Sequence, residues 1–121
     1  MPKELPDINN YKTRIDVIEE VARQIEKDLG IEFPLKLSGN PDLAYTELFE
    51  QTLPVLKETI NDPLFSFKHL LYKIDINETK LSQAFRTEVD ANEFEIYTRL
   101  IIERELQKVA TRRFFKSSLN K

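Results

Sequence analysis

From Ile8 to Leu29 apolar side chains return every three or four residues: Ile8, Tyr11, Ile15, Ile18, Ala22, Ile25 and Leu29. Val17 and Val21 flank this series, and charged residues fill the gaps. A chain puts such a series on one face only by winding at 3.6 residues per turn, so the stretch reads as an amphipathic helix with one buried side. Asn9 or Asn10 is expected to cap its start. Gly30 is expected to end it, because glycine enters the left-handed region without a Cβ penalty.

The helical period governs most of the chain beyond Gly30 as well. Residues 31–39, "IEFPLKLSG", switch to a period of two, with Phe33, Leu35 and Leu37 alternating with polar residues and Pro34. A lone strand would leave its backbone groups unpaired, and no second strand-like run exists, so the segment reads as an extended crossover over helical grooves. Asn40 followed by Pro41 signals a second helix start, carrying Leu43, Ala44, Leu48, Phe49, Leu53, Leu56 and Ile60 inward. Pro54 removes an N–H inside it and predicts a kink or break near Thr52. Asn61, Asp62 and Pro63 repeat the cap-then-proline pattern ahead of a short helix with Leu64, Phe67, Leu70, Leu71 and Ile74.

Asp75 or Asn77 is positioned to cap the next helix, with Leu81, Ala84 and Phe85 inward. The last helix is expected to begin at Asp90, where Glu93 three residues on completes a capping-box pattern. Its apolar residues, from Phe94, Ile96 and Tyr97 through Leu100, Ile101, Ile102, Leu106 and Val109, point several ways around the axis. A helix apolar on most sides is surrounded, which makes this the central one. The expected fold is all-α: a single domain over residues 1–121, built as a compact bundle of five or six helices with a central C-terminal helix and one extended crossover. Residues 1–7 and 117–121 are expected to be flexible ends.

Composition narrows the function. Two glycines in 121 residues leave no phosphate-cradling glycine loop. Without cysteine there is no disulfide, thiolate metal site or cysteine nucleophile, and a reducing compartment, the cytoplasm, is the expected location. The opening "MPKELPDINN" has no apolar signal region, and no run is long enough to span a membrane. His69 is the only histidine, and no serine and acid stand beside it in nucleophilic spacing, so a surface or structural histidine is expected.

The pairs Glu19 with Glu20 and Glu103 with Glu105 fall on different faces of their helices and read as solvated charge. Asp75, Glu78, Glu88, Asp90, Glu93 and Glu95 lack calcium-loop spacing and suit helix N-termini instead. The expectation is a protein that is not an enzyme and needs no metal or cofactor.

Residues 70–104, "LLYKIDINETKLSQAFRTEVDANEFEIYTRLIIER", have the apolar spacing of two helices crossing about a short turn, as a helix-turn-helix requires. Within them "LSQAFR", then Phe94, Tyr97 and "RLIIER", resembles the second helix and exit of an arabinose-regulator-type transcription factor module. Asp75 stands where that family turns on glycine, and Leu71 replaces a small alanine. The resemblance implies a DNA-binding function with Asn77, Thr79, Lys80, Gln83 and Arg86 as the contacts. Two crossing helices of an ordinary bundle give the same spacing. Lys80 and Arg86 are also balanced by Glu78 and Glu88, whereas duplex binding needs net positive charge.

Charge is segregated along the chain. Residues 1–98 hold eleven basic and nineteen acidic residues, and residues 99–121 hold seven and two. The cations of "ELQKVATRRFFKSSLNK" suit the carbonyl end of a helix. Phe114 and Phe115 diverge by about 100° around the axis, so one ring is expected to pack while the other faces out. Arg112, Arg113, Phe115 and Lys116 are therefore the candidate partner surface. The expected function is a small intracellular interaction or structural module whose partner is another protein, with a second copy of itself as one possibility and a helix-turn-helix DNA-binding protein as the alternative.

Overall fold

A computed structural model describes residues 7–119 of the chain, with side chains through residue 116. A 3-10 turn, Ile8–Asn10, leads into five α-helices: α1 Ile15–Leu29, α2 Ala44–Ile60, α3 Phe67–Ile74, α4 Glu78–Thr87 and α5 Glu93–Leu119. No strand occurs among the described residues, and the all-α expectation holds. Of the two ends expected to be flexible, Asp7 caps the 3-10 turn and α5 extends through Leu119. Residues 1–6 and 120–121 lie outside the described residues.

The central role of α5 is borne out. The other four helices and the 3-10 turn all lean on it, and α1 also packs against α2 and α3. One core joins Val17, Ile18, Val21, Ala22 and Ile25 of α1 to Ala44, Leu48 and Leu56 of α2, Leu70 and Ile74 of α3, and Ile101, Ile102, Leu106 and Val109 of α5. A smaller cluster seats α4 on the start of α5 through Ala84, Ile96 and Leu100. Each α5 face is thus buried against a different neighbour, which is why its apolar residues do not form a single stripe.

The extended crossover is also as expected, and side chains supply the ladder a partner strand would have given. Glu26 accepts from the Leu35 N–H at 2.6 Å, and Arg23 donates to the Leu35 carbonyl at 2.9 Å. Gln51 accepts from the Lys36 N–H at 2.8 Å and donates back to its carbonyl at 2.6 Å, while Glu47 accepts from the Ser38 N–H. Leu35 is buried by this arrangement.

Helix boundaries depart from the expectations. Gly30 ends α1 at φ 67°, as anticipated, but α1 starts at Ile15 and neither Asn9 nor Asn10 caps it. Ile8 and Tyr11 reach the core from the 3-10 turn, in register with the helical face, so the period alone overextends the helix. Asn40 and Asp62 are not helix caps: each accepts a hydrogen bond from the N–H two residues on, Asp42 and Leu64 respectively. Such Asx turns use the same residues as an N-cap, and here they place α2 and α3 three to four residues later than the proline signal implies. Ser66 caps α3, and Leu64 stays outside it. α2 runs through Pro54 without a break, since Leu48 and Leu56 bury their face on either side of the lost hydrogen bond. α5 starts at Glu93, where Asn92 rather than Asp90 accepts from the Phe94 N–H.

Ile101 is buried on the face of α5 that joins the main core. Replacing Ile101 with alanine should cost about 2–5 kcal/mol in denaturant unfolding. A change under about 0.5 kcal/mol, typical of surface positions, would contradict the central placement of this helix.

Candidate functional site

The basic C-terminal residues do not project freely. Arg112 donates to Glu20 at 3.2 Å, and Arg113 forks between Glu20 at 2.8 Å and the carboxylate and carbonyl of Asp16. Glu20, with Asp16 after it, holds the Arg113 guanidinium further into its charged form. Two of the four candidate surface residues therefore clasp α5 to the acidic edge of α1, a pairing about ninety residues apart that no local pattern reveals. Phe114 is half-buried and Phe115 is 40% exposed, the split expected from their directions, with the rings edge to face at 5.4 Å. Lys116 is exposed.

The residues proposed for DNA contact divide as well. Asn77 caps α4, accepting from the N–H groups of Thr79 and Lys80. Asn77 and Lys80 line a cavity of about 360 Å³ together with Leu100, Arg104 and Gln107 of α5. Thr79, Gln83 and Arg86 are exposed and, at four- and three-residue spacing, share one outer face of α4. The turn itself has helix-turn-helix character: Asp75 adopts φ 68° where the resembled family uses glycine. Arg104 fixes that conformation by donating to the Asp75 carbonyl and carboxylate, both at 3.0 Å.

His69 is exposed, with its N–H capped by Ser66. Glu88 pairs with Arg99, and among the described residues no three His, Cys, Asp or Glu side chains group to hold a metal ion. No described helix is long and apolar enough to cross a membrane.

Glu105 departs from the solvated charge that its spacing suggests. It is 1% exposed, on the side of α5 that faces α1 and α3. Its Oε1 lies 3.5 Å from Lys108, and its Oε2 has no hydrogen-bond partner. The buried carboxylate of Asp28 is its neighbour, itself 3.5 Å from Lys73 and 3.2 Å from the Gln24 amide. Burial pushes the Glu105 carboxyl up to about 8, and the Asp28 carboxylate acts in the same direction against the smaller influence of Lys108. A proton on Glu105 turns an orphaned acceptor into a donor, so the two acids sit together with one proton between them. The i, i+2 spacing of Glu103 and Glu105 correctly puts them on different faces; it could not show that both faces are covered.

A second feature without sequence forewarning is a groove of about 460 Å³ between the loop after α1 and the end of α2. Leu29, Ile31, Val55 and Phe65 line it, with Phe33 at the edge. Its charged lining is acidic only: Glu32, Glu58 and Asp62. Phe33 is 80% exposed, and Leu64, between the groove residues Asp62 and Phe65, is 94% exposed. Alternation in "IEFPLKL" places Phe33 with Leu35, but only Leu35 has a helix to cover it.

Searches of protein families, of curated proteins and of solved structures return no match to this chain. The residues alone carry its functional reading.

The buried acid makes stability depend on pH. Between the usual carboxyl value of 4.5 and the folded value of about 8, the folded protein keeps a Glu105 proton that the unfolded chain has released. Raising pH through that window therefore favours unfolding, and above about 8 this contribution is flat. Denaturant unfolding across the range should show the slope, and Glu105→Gln should remove it and be the more stable form at pH 8. Arg113→Glu should lower stability by about 1 kcal/mol, the scale of partly exposed ion pairs, with part recovered by adding Glu20→Arg. An unchanged melting temperature in Arg113→Glu would mean that the α1–α5 clasp contributes nothing.

Proposed function

We propose that this protein is a non-catalytic interaction module that holds a segment of a partner protein in the groove between residues 31–33 and the end of α2. The carrying observation is the pair of large apolar side chains, Phe33 and Leu64, left in water beside an apolar floor. Scattered single apolar residues on a surface need no explanation, but two of them bordering a concave apolar site form a docking feature. The neighbouring backbone is pinned by Glu26, Arg23 and Gln51, so the site is presented without a further ordering cost.

Electrostatics selects the partner. With Glu32, Glu58 and Asp62 and no lysine or arginine in the lining, the groove suits an apolar segment flanked by basic residues. A second copy of this chain offers such a segment in "RRFFK", although within each chain Arg112 and Arg113 are already paired with Glu20.

The DNA-binding reading rests on the left-handed turn at Asp75 and the outer face of α4. Its opposition is charge, since Thr79 and Gln83 are neutral and only Arg86 is basic on that face. The groove is the better supported site.

A labelled peptide with a Leu-Phe centre and flanking lysines should bind and shift the amide resonances of residues 29–33 and 55–65. The same peptide with glutamates in the flanks should not. Phe33→Ser should weaken binding by about 2 kcal/mol, the scale of a truncated aromatic anchor, with an unchanged melting curve. Equal binding by Phe33→Ser would remove the groove from consideration. Self-association abolished by Phe33→Ser would identify the second copy as the occupant, and salt-sensitive duplex binding lost in Arg86→Glu would favour the DNA reading.

A further inference from the structure

The acid pair of Glu105 and Asp28 opens onto a cavity of about 250 Å³ between α1, α3 and α5. Gln24, Asp28, Lys73, Glu105, Lys108 and Arg112 line it, without one apolar residue. Direct pairing does not account for this lining. Both lysines stand 3.5 Å from their carboxyls, well beyond the 2.7–2.9 Å of a close charge-assisted hydrogen bond, and a nearly fully buried Glu105 oxygen has no partner at all. Buried polar atoms left without partners are rare in folded proteins and mark places where a water or ligand belongs.

The charge inventory indicates which ligand. With one proton between the two carboxyls, the lining holds one negative charge against those of Lys73, Lys108 and Arg112, and Glu20 outside the cavity offsets only Arg112. The Gln24 amide and Lys73 occupy Asp28, so the carboxylate least welcome to an anion is turned to other partners. The protonated Glu105 contributes an O–H to the interior. The volume is below the usual range of about 300–1,000 Å³ for drug-sized ligands, which limits the occupant to a small ion.

We propose that this cavity binds a small oxyanion, sulfate-like or carboxylate, between Lys73, Lys108 and Arg112 and over the Glu105 carboxyl. The site is separate from the groove assigned to a protein partner and does not depend on that assignment. It joins the end of α1, the end of α3 and the middle of α5, so an anion there would brace three helices at once.

Sulfate and acetate, titrated separately by calorimetry at pH 6.5 and constant ionic strength with chloride as the balancing salt, test the proposal. Sulfate keeps the same charge across the range used. At least one of the two should bind saturably with one site per chain and raise the melting temperature, and the tighter one names the class. Lys73→Met and Lys108→Met should each weaken binding at least tenfold. Lys73 is half-exposed, so its variant decides the matter should Lys108→Met fail to fold. Moving to pH 9.5 should weaken binding at least tenfold in the wild type, where Glu105 has lost its proton, and much less in Glu105→Gln, whose amide still donates. An effect of the added salts that never saturates, or saturable binding unchanged in Lys73→Met, would overturn the assignment.

Discussion

The enclosure of α5 is the constraint on which the rest of this structure depends. Every other helix buries its apolar face at least partly against this one, so the bundle has no second core able to stand without it. Tyr97 shows the arrangement in miniature. Its ring lies 4.5 Å from Phe67, 5.4 Å from Phe85 and 6.4 Å from Phe94, each edge to face, so one side chain ties α3, α4 and α5 together. Edge-to-face pairs of this kind add about 0.5–1.5 kcal/mol each beyond simple burial.

A helix surrounded in this way forces its polar residues into choices that a surface helix avoids. Arg99, Arg104 and Arg113 reach outward from α5 to Glu88, Asp75 and Asp16, clasping α4, the α3–α4 turn and α1 in turn. Glu105 lacks that option because α1 and α3 cover its position, and a buried carboxyl without a close cation is favoured in its neutral form. The acid pair and its cavity are thus consequences of the same packing that makes α5 central. They are also the one part of the described interior where chemistry, not volume, sets the contacts.

The groove has a different origin. An all-helical chain with few glycines still has to cross from the end of α1 to the start of α2, and it does so by an extended segment whose hydrogen bonds are completed by Glu26, Gln51 and Glu47. That solution fixes the backbone through Lys36 and Ser38 and buries Leu35. It leaves Phe33, two residues earlier, beyond the reach of any described helix, and so converts a connection into a presented surface.

Much of the helical layout was legible in the sequence because helical periodicity is a local property: Ile15 to Leu29 and Ile96 to Val109 declare their faces within a few turns. The Gly30 end of α1, the Asn77 cap and the all-round apolar character of α5 were legible for the same reason. Helix starts were less so, since Asn40-Pro41 and Asp62-Pro63 carry residues that serve an Asx turn and a helix cap equally well. The candidate sites were the least legible of all. Nothing near Glu105 announces that α1 and α3 close over it, nothing near Arg113 names Asp16 and Glu20, and nothing in "IEFPLKL" says which of its alternating residues will find a cover. The amino-acid sequence by itself determined the helices and the sides they hide, through interactions spanning three or four residues. Only the tertiary structure decided which charges were buried and which apolar residues were left in water, because both depend on neighbours brought together from distant parts of the chain.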